Sequence, residues 1–578
     1  MSYQYIGLVH GEERQSSDAL GGMTCLLAQA GMEKRLSTGS VTFYASPDTP
    51  VVAVPGKGLV IGHMFTKTGS PLDTSDVIAL LGCDDAAKQA LERYWGEYLL
   101  VRFVPNAAAS FTVTRDPSGG VRCIYSLQGE WRFVTSDISL ATWLGIYRKT
   151  IDWNFIDECL EYPHVKAQRT GLAGVRELLP GCALRVSGSG VVIEDVWSPW
   201  NIIDSTDRFM EWKDAITLVR TAVTSVIDAW ASIDSSILIE VSGGLDSSIV
   251  AACLQKAAAK VTCSTLTTPV PGGDERQYAQ LVADELGVEL RVDELRLENM
   301  SVDFPIPSQV VTPRVGLAQH ASNELKEHLG QLLGVTSFYS GAGGDTVFCY
   351  LRSAVPAADA FRTLGVGAGM ASLRDLCELH QCTIWKAGLL ALRKLVRPPK
   401  PPCKAVCSFL PRTRAHAPFP DHPWFAAPAG ALPGDRERIF DLAGTQVFRD
   451  ATSRGLRRPF RMPLLSQPVI EACLRVPSWM WIAGGRNRAV ARSAFEGMLP
   501  QQILNRRSKG SLVGYLGAVY RRDKPQIRGF LMTGQLQARG LLDETSLLDF
   551  FDSPPAPRDQ TFMRILDLCM IENWVRQQ

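Results

Sequence analysis

The chain has 578 residues, 46% of them hydrophobic and 21% charged, with 60 Lys and Arg against 59 Asp and Glu. That length exceeds a single hydrophobic core and implies at least two domains, while a formal net charge of +1 gives no general attraction to nucleic acid or to a membrane surface. The 14 cysteines include no CxxC pair, and the closest pairs, Cys377 with Cys382 and Cys403 with Cys407, lack partners at zinc spacing, so reduced and mostly buried thiols are expected.

The start, Met1 to Gly7, has neither a basic segment nor a long apolar one, which argues against a secretory signal and for a cytoplasmic protein. From Tyr3 to about Pro199, short apolar runs (Val51 to Val54, Leu99 to Val104, Phe111 to Val113, Trp131 to Val134) alternate with turn residues and predict an antiparallel sheet domain. From Trp212 the period changes. Helical stretches (Trp212 to Trp230, Ser248 to Lys260, Glu275 to Leu286) alternate with strands (Ser236 to Val241, Val261 to Thr267, Leu290 to Val292), the pattern of a parallel sheet with crossover helices. The longest uncharged run, Leu329 to Gly344, is short for a membrane span and reads as a buried strand with a loop. No membrane segment is expected.

The most informative stretch is Val241-Ser242-Gly243-Gly244-Leu245-Asp246-Ser247-Ser248, between an apolar strand and a helix. Two glycines let the backbone curl so that successive N–H groups and a helix N-terminus can face one polyphosphate, and the three serines add donors. Asp246 is an anion among anion-binding groups, which implies a divalent cation, Mg²⁺, between it and the phosphates. The Walker lysine is missing, so this is not an ordinary P-loop.

The stretch resembles the SGGxDS signature of the PP-loop ATP pyrophosphatases, which split ATP between the α and β phosphates to activate a carboxylate. Further landmarks extend the resemblance to the glutamine-dependent asparagine synthetases. Gly96-Glu97-Tyr98, Arg115 to Gly119, Val134 to Asp137 and Leu179-Pro180-Gly181 resemble the family's glutaminase domain in order. Phe338 to Asp345 is a second Gly-rich turn ending in aspartate, and Arg461 to Leu465, Arg486 to Phe495 and Asn505 to Gly510 resemble its closing series.

The resemblance implies an α/β chain in two parts. Residues 1–205 would be an N-terminal antiparallel β-sandwich of α+β, glutaminase-like type, and 206–578 a synthetase domain with a parallel sheet flanked by helices. It implies that Ser242, Gly243, Gly244, Leu245, Asp246, Ser247, Ser248, Leu266, Thr268, Ser340, Gly341, Gly344 and Arg492 bind ATP. Asp246 and Asp345 would hold Mg²⁺, and Lys509 would neutralise the departing pyrophosphate. Glu378 stands roughly where β-lactam synthetases keep a catalytic glutamate. Asp274 and Glu275 read as favourable charges at a helix start. The Pro-rich insertion, about 397–434, reads as a loop over the active site or as a disordered surface loop.

The departures from the family bear on the nucleophile. Position 2 is Ser2 rather than cysteine, and residues Lys34 to Ser40 read KRLSTGS where the glutamine pocket is expected, so the first domain is expected to be inactive as a glutaminase. Ala342 replaces the acid of asparagine synthetases and the tyrosine of β-lactam synthetases, and Thr346 replaces a glutamate. Without an ammonia source the amine is expected on the substrate itself, where intramolecular attack removes a bimolecular encounter. The chain therefore looks most like a lasso peptide cyclase, whose partners would be a precursor core peptide, a leader-binding protein and a leader protease. Asparagine or β-lactam synthesis and a silent peptide-binding scaffold are the alternatives.

Overall fold

The computed structural model describes residues 3–9, 14–38, 40–104, 110–128, 131–187, 190–204, 210–350, 353–397, 402–449, 454–507, 510–554 and 558–578. Ser2, Lys509 and 398–401 lie outside them.

Two six-stranded antiparallel sheets build the first part. In one, Tyr5–Val9 lies between Val41–Ala45 and Arg132–Thr135; in the other, Tyr94–Phe103 lies between Gly58–Thr66 and Phe111–Arg115. Alternate side chains leave opposite faces of a strand. Tyr5 and Val9 therefore point inward to Leu59, Leu99, Val113 and Leu184 in the inter-sheet core. Ile6 and Leu8 point outward to Met23 and Leu27 of the helix Arg14–Gln29. On the second sheet Val60, Met64 and Leu100 face Val77 and Leu80 of Thr74–Leu81. The result is a helix-flanked sandwich, the α+β arrangement expected. The 14 cysteines are all unpaired, eight of them buried.

The change from antiparallel to parallel pairing falls between Asp195, which ends the last sandwich strand, and Trp212. The helix Trp212–Ala231 then crosses between the two parts. It is the one helix among the described residues long and apolar enough to cross a membrane. Its Val219, Val223, Ile227 and Trp230 are instead buried in the core, where the Trp230 ring meets Phe65 edge-on at 4.9 Å. One apolar cluster runs from the outer face of the sandwich into the parallel sheet, so residues 1–205 and 206–578 share a core.

The five-stranded parallel sheet has the order Leu290–Glu294, Lys260–Thr267, Ser236–Glu240, Ser337–Tyr339, Phe460–Arg461. Its first strand in the chain is central, with the next strands on one side and the later ones on the other. That is a topological switch point, and the loops after Glu240 and Tyr339 open side by side at its carboxyl edge.

Three expectations change. The helix after the first Gly-rich loop is Leu245–Cys253 and ends in a tight turn at Leu254–Lys256 instead of reaching Lys260, because Lys260 already pairs with Ser236. The Leu329 to Gly344 run is the end of the helix Leu317–Leu332 followed by the short strand Ser337–Tyr339. Among its described residues, 402–434, the Pro-rich insertion does not roof the parallel sheet. Its described part packs on the sandwich side: Arg414 pairs with Asp157 at 2.7 Å, His416 with Glu161 at 2.8 Å, and buried Trp424 accepts from the Trp200 indole at 2.9 Å. A fully buried tryptophan and Leu410 anchor it there, which outweighs its lack of regular structure.

Candidate active site

A cavity of about 780 Å³ opens at the carboxyl edge of the parallel sheet, where the loops Ser242–Ser247 and Ser340–Asp345 meet. Glycine is needed in both loops for closeness as well as curvature. Gly243 has φ +62°, and a Cβ there would stand 2.1 Å from the Tyr278 Cβ. A Cβ on Gly341 would lie 2.5 Å from the Ser247 nitrogen, and one on Gly344 2.3 Å from Asp246 Cγ. The second loop thus lies against the first turn of the helix that carries Asp246. Gly341→Ala must push two backbones apart, and a loss of about 1–3 kcal/mol is expected, read as a lower melting temperature.

Asp246 and Asp345 come together as expected. The Arg488 guanidinium bridges them: its Nη1 donates to Asp246 Oδ1 at 2.9 Å, Oδ2 at 3.1 Å and Asp345 Oδ1 at 2.8 Å. Arg488 starts the helix Ala489–Ala494 from a left-handed conformation, φ +53°. Two carboxylates converging on one cationic nitrogen fit a hard divalent cation. In the sequence Arg488 stands between Arg486 and Arg492, and nothing local marks it as the one that reaches the acids.

Further cations ring the cavity. Lys326, on Leu317–Leu332, is buried and donates to Ser264 at 3.0 Å and Asp293 at 3.4 Å. Burial lowers its pKa, against the pull of Glu240 and Asp293. Burial would raise Glu240, but Arg454 at 2.9 Å and Lys326 hold it below the usual carboxylate value. Arg506 donates to the Ser242 carbonyl at 3.1 Å and to Glu275, with its guanidinium 3.9 Å from the Tyr278 ring centre. Glu275 also accepts from Gly510 N at 2.8 Å. Glu275 is therefore no mere helix-start charge. It fastens the closing Asn505 to Gly510 series to the first loop, while Asp274 pairs with its neighbour Arg276 at 2.7 Å. No sequence spacing announced Lys326, Arg454 or the Glu275–Arg506 pair.

Other predicted residues sort by position. Ser242, Gly244, Leu245, Ser247, Leu266, Ser340 and Gly341 line the cavity. Ser248 is buried behind the loop, its hydroxyl on the Gly244 carbonyl at 2.7 Å, and the Thr268 hydroxyl turns to the Val270 carbonyl at 3.3 Å. Arg492 lines the cavity, yet its guanidinium donates to the carbonyls of Asn487, Leu504 and Arg506. Burial and the nearby Arg488 and Arg486 lower its pKa to about 10. Glu378 is exposed on Val366–His380, against Gly485 and outside the cavity lining. No described residue of 402–434 lines the cavity.

A second, smaller cavity of about 170 Å³ lies against the sandwich and shares Phe448, Phe460 and Met462 with the large one. Beside it, buried Arg461 donates to Tyr3 at 2.7 Å, to Glu97 at 2.5 Å and to Asp234 at 3.4 Å, stacked 4.0 Å from Trp230. Glu97 also takes Arg449 at 2.9 Å.

The family model of asparagine synthase matches residues 219–576, more than half of the chain. No curated protein sequence matches. Among solved structures, the allosteric regulatory enzyme of purine biosynthesis aligns at 13% identity over 50% of this chain and 80% of its own, with a TM-score of 0.22. Glutamine phosphoribosylpyrophosphate amidotransferase from B. subtilis aligns at 12% identity over 58% and 90%, with a TM-score of 0.23. Superpositions that loose say nothing further about this fold. The matched segment holds both Gly-rich loops, the Asp246–Asp345 pair and most of the cations around them, and the chain belongs to the asparagine synthase family, whose members are ATP-dependent ligases.

Proposed function

We propose that the chain closes an amide bond within a peptide, through an acyl-adenylate. In the first step a side-chain carboxylate oxygen attacks the α-phosphorus of ATP and pyrophosphate leaves. In the second the peptide's own N-terminal amine attacks the acyl carbon and loses a proton to solvent, and AMP leaves with the electrons of the broken acyl–oxygen bond. The observation that carries the first step is the cavity itself, with two converging carboxylates, a helix N-terminus and a ring of buried cations at a switch point. Asp246 and Asp345 would hold Mg²⁺, which supplies charge neutralisation on the phosphates when bound. The loop N–H groups and Ser242, Ser247 and Ser340 orient the phosphates, while Lys326 and Arg454 set the potential of the cavity floor.

For the second step the support is the character of the sandwich. Tyr3, just ahead of the first strand, is committed to the buried Arg461 and Glu97 cluster, which suits a structural role for that domain. A volume of about 780 Å³ accommodates a nucleotide with the reacting carboxyl and amine. The rest of a peptide would lie outside the cavity, whose lining includes no described residue of 402–434. Amidation of a small carboxylate, as in asparagine synthesis, fits the same family and is the competing reading. The reactions to compare are aspartate with ammonia against a precursor peptide encoded beside the gene, both with ATP and Mg²⁺. Pyrophosphate is expected only with the peptide, and asparagine from the first mixture would replace this reading. With the peptide, Lys509→Met is expected to slow pyrophosphate release by about 10²-fold, the scale of one lost fixed charge at a developing anion.

A further inference from the structure

The helix Ile384–Val396 is apolar apart from a cationic sector of Lys386, Arg393 and Lys394, and an apolar face that wide is normally buried. It buries only Ala387 and Ala391. Seven large apolar side chains stay exposed, Trp385 at 84% and Val396 at 69% among them. Trp385, Leu389, Leu392 and Val396 recur at i, i+4, i+7 and i+11, which aligns them in one stripe opposite the buried alanines. Val366 and Met370 of the neighbouring helix Val366–His380 are exposed as well. A patch of this kind on a folded protein marks an interaction surface.

Charge says what fits it. Lys386, Arg393 and Arg397 follow the stripe along one flank; all are exposed, and none makes an ion pair among the described residues. The helix carries no acid. Lys394, which points back toward the body, is paired with Glu437. The 4-3-4 spacing is that of a seam into which a second helix sets its knobs. An antiparallel pairing of two copies through this stripe would bring cationic flanks together, which disfavours a homodimer. The cations also line one side of the stripe only, with the apolar edge of the hairpin on the other, which orients a rod better than it grips a flat bilayer.

We propose that the exposed face of Ile384–Val396 docks an amphipathic helix of a partner protein that carries Asp or Glu along one flank of its apolar stripe. The surface is separate from the cavity, since no residue of this helix lines it. The probe is a fluorescein-labelled synthetic helix with Leu at i, i+4, i+7 and i+11 and Glu along one flank, titrated with the full chain and followed by anisotropy. A second probe has Lys in place of each Glu. Saturable binding of the Glu helix is expected, weakened at least about tenfold in the Leu389→Gln/Leu392→Gln double variant and about tenfold by the switch to Lys. Equal binding of both probes, or binding that the double variant leaves unchanged, overturns the proposal. So does wild-type dimerisation lost in the double variant, or co-sedimentation with 3:1 phosphatidylcholine–phosphatidylserine vesicles in place of binding to the helix. Both leucines are exposed, so circular dichroism of the double variant should match the wild type.

Discussion

Asp246→Asn is expected to reduce ATP-dependent pyrophosphate release by about 10²–10³-fold, the order lost with one preorganised charged contact at a reacting phosphate or oxyanion. The substitution keeps the volume and removes the charge that, with Asp345, converges on one cationic nitrogen. It should change stability little, because Arg488 keeps Asp345 as a partner at 2.8 Å and keeps the face of Tyr350 5.1 Å away. A large fall in rate with a near-constant melting temperature separates a chemical role from a structural one. Release as fast as wild type would remove Asp246 from the metal site.

The largest effect on stability is expected from Arg461→Met. Its guanidinium is the shared partner of Glu97, Asp234 and Tyr3 and is stacked on Trp230. Removing one partner of a buried ionic cluster leaves uncompensated charge, a cost of about 3–5 kcal/mol. Arg449 still serves Glu97, so Asp234 is the group left most exposed to that cost. Burial would raise Glu97, yet Arg461 and Arg449 hold it below its ordinary value of 4.5. In the wild type that stabilisation is complete above the ordinary value and fades as pH falls through the lower folded one. The wild-type advantage over Arg461→Met should therefore shrink in acid, as Glu97 takes a proton. Urea unfolding of both proteins at neutral and acidic pH measures this. A pH-independent difference would assign the effect to lost packing.

Arg488 itself is a sharper probe of the cation fit. With Arg488→Met the two carboxylates lose their resident cation, and the nucleotide-free protein should bind Mn²⁺ more tightly, by about tenfold, in an electron paramagnetic resonance titration. Weaker or unchanged Mn²⁺ binding would mean that Arg488 and the metal do not share a place.

What could be read from the chain followed the range of each signal. The two Gly-rich loops are local: strand, glycines, aspartate and helix lie within a few residues, and the structure sets them side by side. Strand periodicity located both sheet types for the same reason. Contacts made across hundreds of residues were not legible. Arg488 reaches Asp246 from 242 positions away, and Arg506 meets Glu275 across 231. The Pro-rich stretch had two open readings because proline says only what a segment cannot be, while Trp424 and Leu410 decide where it goes. Glu378 was chosen by distance along the chain, and the helix that carries it turns it to solvent.

The most direct test of peptide closure through an adenylate follows α-labelled ATP and product mass in one reaction, with Mg²⁺ and a peptide bearing a free N-terminal amine and an Asp or Glu side chain. AMP and pyrophosphate in equal amounts, with a peptide lighter by one water and resistant to N-terminal sequencing, is the predicted result. ADP and phosphate, or AMP and pyrophosphate with an unchanged peptide, would contradict it.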